Sequence, residues 1–402
     1  MTKKSFVQIF FILIICSCLG AALVVLAYAI PEFLVDRNIQ SSLDLLQKEN
    51  ADKEWTEIYT HGWSGNLDST TDWRIFLDAR TDKGQSLLRT AFGTYSRMWN
   101  GYMVLIRPLL VFFSYSQIRF FFGVIVFLLI GYILLLLYRK LGEGTSLSFL
   151  IALIAVNVIL IPFNIITSIF TIAALSAGIW ILKRYDPKMG LAGLGRFFLM
   201  AGILDIYFDM FTAPLLVLGV PLMILLLIDA KSGDLSLFDE IKKIIFCSFM
   251  WGIGYGLFWF MKWAISSFFT GTNVVADAID TMLFRIDGET TGQRGDILYS
   301  IEKNLGALLP TNGENIVPLF AVLAVLLVCM IVFLMRSGVK RKDSVRYIPC
   351  FIVALYPFLW YAIICNHSII HATIYAYRLL IIPIFGILSV YFELINSKKT
   401  GE

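Results

Sequence analysis

Two of the chain's three histidines lie four residues apart in the segment 366–378. In a helix, His367 and His371 would share one face, and Arg378 would follow about 10 Å further along the axis. Apolar runs flank this segment on both sides, which predicts that it lies at the edge of a membrane. Ionisable side chains in such a place are costly and indicate a functional site. The histidines could donate hydrogen bonds to a departing phosphate, or they could form a pair that only anchors the last span.

Further charged residues are expected at the same depth of the membrane. Asp205 and Asp209 fall in the outer part of the fifth predicted span, and Lys262 falls near the outer end of the seventh. Together with Arg378 they predict a substrate-binding cluster, in which Lys262 and Arg378 bind a phosphate. The alternative is that the two cations reach toward lipid headgroups while the aspartates pair with them.

A long polar stretch after the first span supplies candidate bases. Its segment 67–73, Leu-Asp-Ser-Thr-Thr-Asp-Trp, carries Asp68 and Asp72 four residues apart. Two carboxylates on one helical face could act as a general base or as metal ligands. Asp72 is the first choice for the base and Asp68 the second. The alternative is a capped helix in a solvated loop. The sequence identifies no cofactor and leaves open whether a divalent cation takes part.

The same stretch contains arginines among aromatic residues, in Tyr-Ser-Arg-Met-Trp-Asn-Gly-Tyr at 95–102 and Ile-Arg-Pro-Leu-Leu at 106–110. Arg97 and Arg107, with Trp99 between them, suit the binding of a phosphate and a sugar at the membrane interface. The alternative is an aromatic belt with arginines that extend toward the headgroups. The apolar segment 102–113 contains Pro108 and is too short to span a bilayer, so it predicts an interfacial helix.

The composition defines the class of protein that must position these residues. The chain is 58% hydrophobic and only 15% charged, and repeated apolar runs are long enough to cross a bilayer. This predicts an all-α polytopic membrane protein, a single integral membrane domain over 1–402, with prolines at 162 and 214 that break helices or form helical hairpins. The predicted spans are 6–30, 120–138, 147–160, 162–182, 194–211, 213–228, 241–265, 317–335, 348–365 and 372–392.

The distribution of positive charge predicts the orientation in the cell membrane. With the amino terminus inside, the short outer turns contain no lysine or arginine, as the positive-inside rule requires. Both termini are then cytoplasmic, and two long loops, 31–119 and 266–316, face outward. Within the second loop, the amphipathic segment 273–286 is expected to lie on the membrane surface over the site. The positive residues of the inner segments include Arg139, Lys140, Lys183, Arg184, Lys231, Lys242 and Lys243.

This architecture, with a long outer loop after the first span and an outward polar cluster, resembles the GT-C glycosyltransferases. Those multi-pass enzymes transfer sugars from polyprenyl-phosphate carriers at the outer face of the membrane. The segments quoted above, with Tyr-Phe-Asp-Met-Phe-Thr-Ala-Pro-Leu at 207–215, also resemble a set of uncharacterised bacterial membrane proteins. The GT-C resemblance implies an acidic base in the first outer loop, Asp72 or Asp68. The acidic pair that directly follows the first span is instead Glu32 and Asp36.

Two classes of function follow from these observations. The first is glycosyl transfer from a polyprenyl-phosphate-linked sugar in cell-envelope glycan assembly, or the related work of a polysaccharide polymerase or ligase. The second is a non-enzymatic transporter of lipids or glycans, or a structural partner in envelope assembly. Transporters usually bind near the midplane of the membrane, and no predicted span carries a charge at its centre, which favours the enzyme. The expected partners are a lipid-linked sugar donor and membrane lipids, with no nucleic acid.

Overall fold

The architecture is that of a polytopic helical membrane protein. Seven helices are long and apolar enough to cross a membrane. They are Val7–Tyr28, Tyr115–Leu141, Ile165–Arg184, Leu191–Phe208, Leu215–Ser232, Leu237–Thr270 and Ala376–Asn396. The structure, a computed structural model, describes residues 3–49, 56–60, 63–67, 69–81, 84–233, 236–290, 293–294, 296–308, 324, 332 and 344–399. The predicted fold class is thereby confirmed at the level of a helical membrane protein.

Two shorter apolar helices, Glu143–Ala155 and Ile348–Ile363, lie where two further spans were predicted. The first leads into a 3-10 helix, Val158–Phe163, that contains Pro162. The second is divided at Leu355 into two short helices. A proline lacks the N–H that an α-helix needs in its interior, so Pro162 interrupts the regular backbone ladder. The remaining predicted span, 317–335, lies outside the described residues except at 324 and 332.

The helices are labelled here in chain order. They are α1 (Lys3–Tyr28), α2 (Glu32–Lys48), α3 (Ser69–Asp78), α4 (Leu87–Gly93), α5 (Met103–Leu110), α6 (Tyr115–Leu141), α7 (Glu143–Ala155), α8 (Ile165–Arg184), α9 (Leu191–Phe208), α10 (Leu215–Ser232), α11 (Leu237–Thr270), α12 (Val274–Asp287), α13 (Ile297–Gly306), α14 (Ile348–Ala354), α15 (Tyr356–Ile363), α16 (Cys365–Ile370) and α17 (Ile381–Lys399). A second 3-10 helix, Ala376–Leu380, leads into α17.

Two short hairpins accompany the helices. Strand Thr56–Thr60 pairs antiparallel with Trp63–Leu67, and Glu289–Thr290 pairs with Gln293–Arg294. Both hairpins fall in the predicted outer loops. The first strand contains three β-branched residues and one tyrosine, types that favour extended backbone, but its five residues are too few to stand out in a sequence dominated by apolar helices.

The first predicted outer loop folds into helices that pack on the membrane bundle. Helix α2 buries Val35, Ile39 and Leu46 on one face, at the spacing expected of an amphipathic helix. The side-chain amide of Asn38 donates to the carbonyl of Leu110 at 2.9 Å, which joins α2 to α5. A helix is present within the segment 102–113, as α5 with Pro108 inside it.

Glycines bring α9 and α11 into close contact. A Cβ atom on Gly202 would lie 2.2 Å from the backbone oxygen of Trp251, and one on Gly254 would lie 2.2 Å from that of Leu199. Small residues at such positions let helix backbones approach closely in a membrane. This contact fixes α11, which carries Trp259 and Trp263 toward the region of the two histidines.

The two ends of the bundle differ in their charged groups. At one end, here called the lysine end, Lys243 contacts Asp229 and donates to Glu240 at 2.9 Å, with all three side chains buried. Lys140 donates there to the carbonyl of Tyr185 at 3.1 Å. The opposite end, here called the histidine end, contains α12, α16 and the helices of the first loop, and it holds the site described next.

Candidate functional site

A cavity of about 100 Å³ lies at the histidine end. Its wall includes Arg97 from the first loop, Phe211 from the turn after α9, Arg285 from α12, and both His367 and His371. We call it the histidine cavity. Elements that are distant in the sequence therefore contribute cationic, aromatic and imidazole groups to one partly enclosed space.

Arg285 holds the two histidines together. Its Nη1 lies 3.1 Å from Nδ1 of His367 and 2.8 Å from Nε2 of His371, and the two imidazole rings are 4.7 Å apart. An arginine side chain only donates hydrogen bonds, so both of these ring nitrogens accept. The contacts therefore fix the tautomers, with the proton on Nε2 of His367 and on Nδ1 of His371.

Both histidines are neutral at physiological pH. Burial, then the neighbouring His371, then the charge of Arg285 lower the pKa of His367 well below its ordinary value; its side chain is only 2% exposed. Burial, then the charge of Arg285, lower the pKa of His371 to about 3. A neutral imidazole with a fixed N–H can donate a hydrogen bond to an oxyanion, whereas a titrating imidazole would change charge between pH 5 and 8.

Helix α12 places Arg285 over the histidines. The helix packs against α16, where the side-chain amide of Asn366 donates to the carbonyl of Phe284 at 2.8 Å. In the part of the chain that the structure describes, none of the ion pairs involves Arg285. A guanidinium with neutral partners in a partly enclosed cavity favours the binding of an anion.

Arg97 lies on the wall of the histidine cavity. It donates to both oxygens of Asp277 at 3.1 Å and to Thr281 at 2.9 Å. Its backbone carbonyl accepts from the indole N–H groups of Trp259, at 2.7 Å, and Trp263, at 3.0 Å. The two tryptophans of α11 thereby position the segment that carries Arg97.

Two aromatic residues of the cavity wall have an uncommon backbone conformation. Tyr95 has φ = 43° and Phe211 has φ = 66°, a left-handed region that bulky side chains rarely adopt. Asp209 stabilises the turn that carries Phe211, because its carboxylate accepts from both the backbone N–H and the hydroxyl of Thr212. Such conformations cost roughly 1–3 kcal/mol each and cluster at functional sites, which supports a functional role for this cavity.

Asp72, the first choice for the base, caps a helix. Its carboxylate accepts from the hydroxyl of Tyr115, from the amide of Asn164 at 3.4 Å and from the backbone N–H of Ile165, the first residue of α8, at 2.9 Å. The side chain is fully buried. The neighbouring residue, Thr71, is on the cavity wall, whereas Asp72 faces the start of α8. Asp68, the second choice, lies outside the described residues.

Three predicted phosphate ligands make contacts elsewhere in the bundle. Arg107 is fully buried and donates to the carbonyls of Ala27, Ile30 and Ala79. Arg378 donates to the carbonyl of Ile374, and Lys262 lies 3.4 Å from that of Phe92. None of these three cations belongs to the wall of the histidine cavity. Their contacts join backbone segments, so these cations stabilise the fold at the histidine end.

Two other predicted ligands are also part of the packed core. The indole N–H of Trp99 donates to the carbonyl of Phe258 at 2.9 Å, and the two rings stack at 4.5 Å. Asp205 is buried within α9, one helical turn before Asp209. The predicted cluster is therefore brought together only at Arg97, His367 and His371.

Sequence reasoning missed Arg285, which makes the central contacts of the cavity. The signal that could have found it is the amphipathic pattern of the segment 273–286, where Arg285 is the only arginine or lysine. Asp277 of the same segment was missed too. Its side chain is 55% exposed and pairs with Arg97.

Within the described ranges, no group of three or more His, Cys, Asp or Glu side chains is placed to hold a metal ion. Comparison of the chain with protein-family models, with curated protein sequences and with solved structures finds no match. The fold and the site together thus define a polytopic helical membrane protein with an enclosed arginine–histidine cavity at one end of its bundle.

Proposed function

We propose that this protein is a membrane enzyme that takes a sugar from a polyprenyl-phosphate carrier and transfers it in cell-envelope glycan assembly. The reaction takes place at the outer face of the cell membrane. The observation that carries the proposal is the pair of neutral histidines held by Arg285 inside the histidine cavity. This group has the chemistry needed to bind a phosphate and to stabilise it as it leaves.

Arg285 has donors to spare for a ligand. A guanidinium carries five N–H groups, and one of its nitrogens serves both histidines. The remaining N–H groups can bind two oxygens of one phosphate in parallel. The N–H of each neutral histidine adds a further donor. Around them, Tyr95, Trp259 and Tyr375 provide aromatic faces for a sugar ring, as is common in ligand pockets that combine apolar walls with a few polar groups.

A lipid-linked substrate can reach this cavity from the membrane surface. Helix α12, which forms part of the wall, exposes Ile279, Leu283 and Phe284. Exposed apolar residues on an amphipathic helix favour a position in the membrane interface. The lysine end lies at the opposite end of the bundle, and the positive-inside rule places such an end in the cytoplasm. The histidine cavity would then face outward.

The proposed transfer is a substitution at the anomeric carbon of the sugar. The acceptor hydroxyl oxygen forms a bond to that carbon, the bond from the carbon to the phosphate oxygen breaks, and the phosphate leaves with the electron pair. Arg285 and the histidine N–H groups stabilise the negative charge of the leaving phosphate. A carboxylate takes the hydroxyl proton, which requires a base within hydrogen-bond reach.

We assign the base to Asp277, in place of the Asp72 expected from the sequence. Asp277 is half exposed and is paired with Arg97, which belongs to the wall of the cavity. Asp72 is enclosed by its donors at the start of α8. An acceptor hydroxyl can approach Asp277 from solvent, whereas an approach to Asp72 would require displacement of the α8 cap.

The proposal is tested by the lipids of cells that lack the gene. We expect one polyprenyl-phosphate-linked sugar to accumulate on deletion, as detected by mass spectrometry of lipid extracts. Complementation with wild-type protein or with Arg196→Gln should clear it, and complementation with Arg285→Gln should not. Arg196 is the matched control because it is exposed at the lysine end of α9. Identical lipids in deletion and wild-type cells would refute the proposed substrate.

A transporter of the same lipid is separated from an enzyme by a second measurement. The accumulated lipid is purified and incubated with the purified protein and a crude acceptor fraction. The enzyme should release the polyprenyl phosphate without its sugar. Asp277→Asn should slow this release roughly a hundred- to ten-thousand-fold, as is typical for loss of a general base. Lipid that stays intact with wild-type protein would favour the transporter.

A further inference from the structure

A second cavity at the histidine end is not used by the proposed donor site. It is a polar groove of about 560 Å³ between α3, α4 and the end of α11. Arg74, Arg80 and Arg89 contribute to its wall, and Thr270 and Thr272 close the far side. We call it the arginine groove.

The arginine groove carries an excess of positive charge. Among the described residues of its wall, Asp78 is the one carboxylate, and Arg74 holds it at 2.9 Å. Arg80 donates to the neutral side chain of Gln40 at 2.6 Å. Within the described part of the chain, no ion pair includes Arg80 or Arg89. Nearby, Glu32 accepts from Thr81 at 2.7 Å and lies close to Arg107. Arg80 and Arg89 are therefore available to an anionic ligand.

The remaining wall suits a ligand rich in hydroxyl groups. It consists mainly of side chains that both donate and accept hydrogen bonds, among them Gln85, Thr94 and Ser96. An acyl chain would need an apolar wall, and among the described residues of this wall Leu77 is the one large aliphatic residue. The chemistry of the groove thus favours an anionic glycan over a lipid tail.

Tyr95 joins the arginine groove to the histidine cavity, because it belongs to the walls of both. The guanidinium of Arg97 lies 5.5 Å from the centre of the Tyr95 ring, and Asp277 is bonded to that guanidinium. Tyr95 and Arg97 therefore connect the groove to the carboxylate assigned as the base.

We propose that the arginine groove binds an anionic, hydroxyl-rich glycan as the acceptor and presents its terminal hydroxyl past Tyr95 to the sugar in the histidine cavity. The role as acceptor rests on the proposed function. The binding of an anionic glycan rests on the groove alone, so the two statements can fail separately.

Binding is measured by isothermal titration of the full-length protein in neutral detergent. The probe is hexagalacturonate, which carries carboxylates and hydroxyls, and the uncharged control is maltohexaose. Hexagalacturonate should bind, and its affinity should fall as salt increases because exposed charges are screened. Arg80→Gln and Arg89→Gln should each weaken it about fivefold, and the double variant about 25-fold. Arg196→Gln should leave it unchanged.

Three results would overturn the inference. The first is equal binding of maltohexaose, and the second is unchanged binding of hexagalacturonate by the double variant. The third is loss of hexagalacturonate binding in nanodiscs that contain phosphatidylglycerol, which would show that lipid headgroups occupy the groove. Binding that persists in these nanodiscs supports a glycan.

The same variants separate the groove from the proposed function. If Arg285→Gln loses prenyl-phosphate binding while hexagalacturonate never binds, the donor site stands and the groove inference fails. If hexagalacturonate binds through Arg80 and Arg89 while deletion leaves the lipid-linked sugars unchanged, the groove is a glycan site and the proposed transfer is wrong.

Discussion

Replacement of Arg285 by glutamine is the sharpest perturbation of the histidine cavity. Glutamine keeps a hydrogen-bonding side chain at this position of α12 but removes the positive charge and the paired N–H groups. Arg285 donates to both His367 and His371 and, in the proposed complex, also to the phosphate. Arg285→Gln should therefore weaken phosphate binding with little effect on the packing of α12, which depends on Val274 and Ala278, both buried.

The size of the effect follows from the contacts that are lost. A hydrogen bond to a charged group contributes about 1.5–3 kcal/mol, which corresponds to roughly 10- to 150-fold in affinity. Arg285→Lys keeps the charge but cannot bind two oxygens in parallel, so its affinity should lie between wild type and Arg285→Gln. The larger cause that keeps His371 neutral is burial, and burial is retained in both variants. The change in affinity would thus report the loss of Arg285 itself.

The assay is isothermal titration of the purified protein with citronellyl phosphate, a short and soluble prenyl phosphate. Arg196→Gln is the control for the removal of one exposed arginine far from the cavity. The thermal midpoint of each variant is recorded to show that the protein remains folded. Affinity within twofold of wild type in a folded Arg285→Gln protein would refute the assignment of the phosphate site.

Four further predictions concern stability and orientation. Asp72→Asn should destabilise the protein by about 1–3 kcal/mol, because a buried acceptor at the start of α8 is lost. The affinity for citronellyl phosphate should stay within twofold of wild type. An unchanged thermal midpoint would contradict the capping role of Asp72. Lys243→Met should lower the thermal midpoint more than Asp72→Asn does, since removing one partner of a buried charge pair costs about 3–5 kcal/mol. A smaller fall than that of Asp72→Asn would contradict the stabilising role of this charge pair. The pKa of His371 is about 3 in the folded protein and near 6.5 when unfolded. Because the unfolded chain gains the proton first, the thermal midpoint should fall as the pH drops below about 6.5. A rise in the thermal midpoint would show that the imidazole is charged in the folded protein. In intact cells a membrane-impermeant maleimide should label Gln85→Cys above the level of the wild-type protein, and it should not do so for Lys188→Cys. The reverse pattern would place the histidine cavity inside the cell.

Much of the scaffold could be predicted because it depends on local sequence. Apolar runs long enough to cross a bilayer must form helices, since backbone N–H and C=O groups have no water to bind there. The amphipathic segment 273–286 was predicted from its pattern and is present as α12. The two histidines were placed on one face, and the structure does bring their rings to 4.7 Å, although α16 ends at Ile370, just before His371.

The partners of the charged residues could not be predicted in this way. Arg107 and Asp72 have the residue types expected of a phosphate ligand and of a base. In the folded chain one joins backbone carbonyls and the other caps α8. A sequence shows that a charge is present near the membrane interface, but not whether the groups that surround it are protein atoms or a ligand. That distinction depends on which helices pack together.

The sequence by itself determined a polytopic helical membrane protein with two histidines four residues apart between apolar runs. The length of an apolar run and the spacing of residues along a helix are local properties, and they do not depend on the tertiary packing. Only the tertiary structure decided that Arg285, 82 residues before His367, completes the site. Its position depends on the packing of α12 against α16, and no periodicity within either segment specifies that contact.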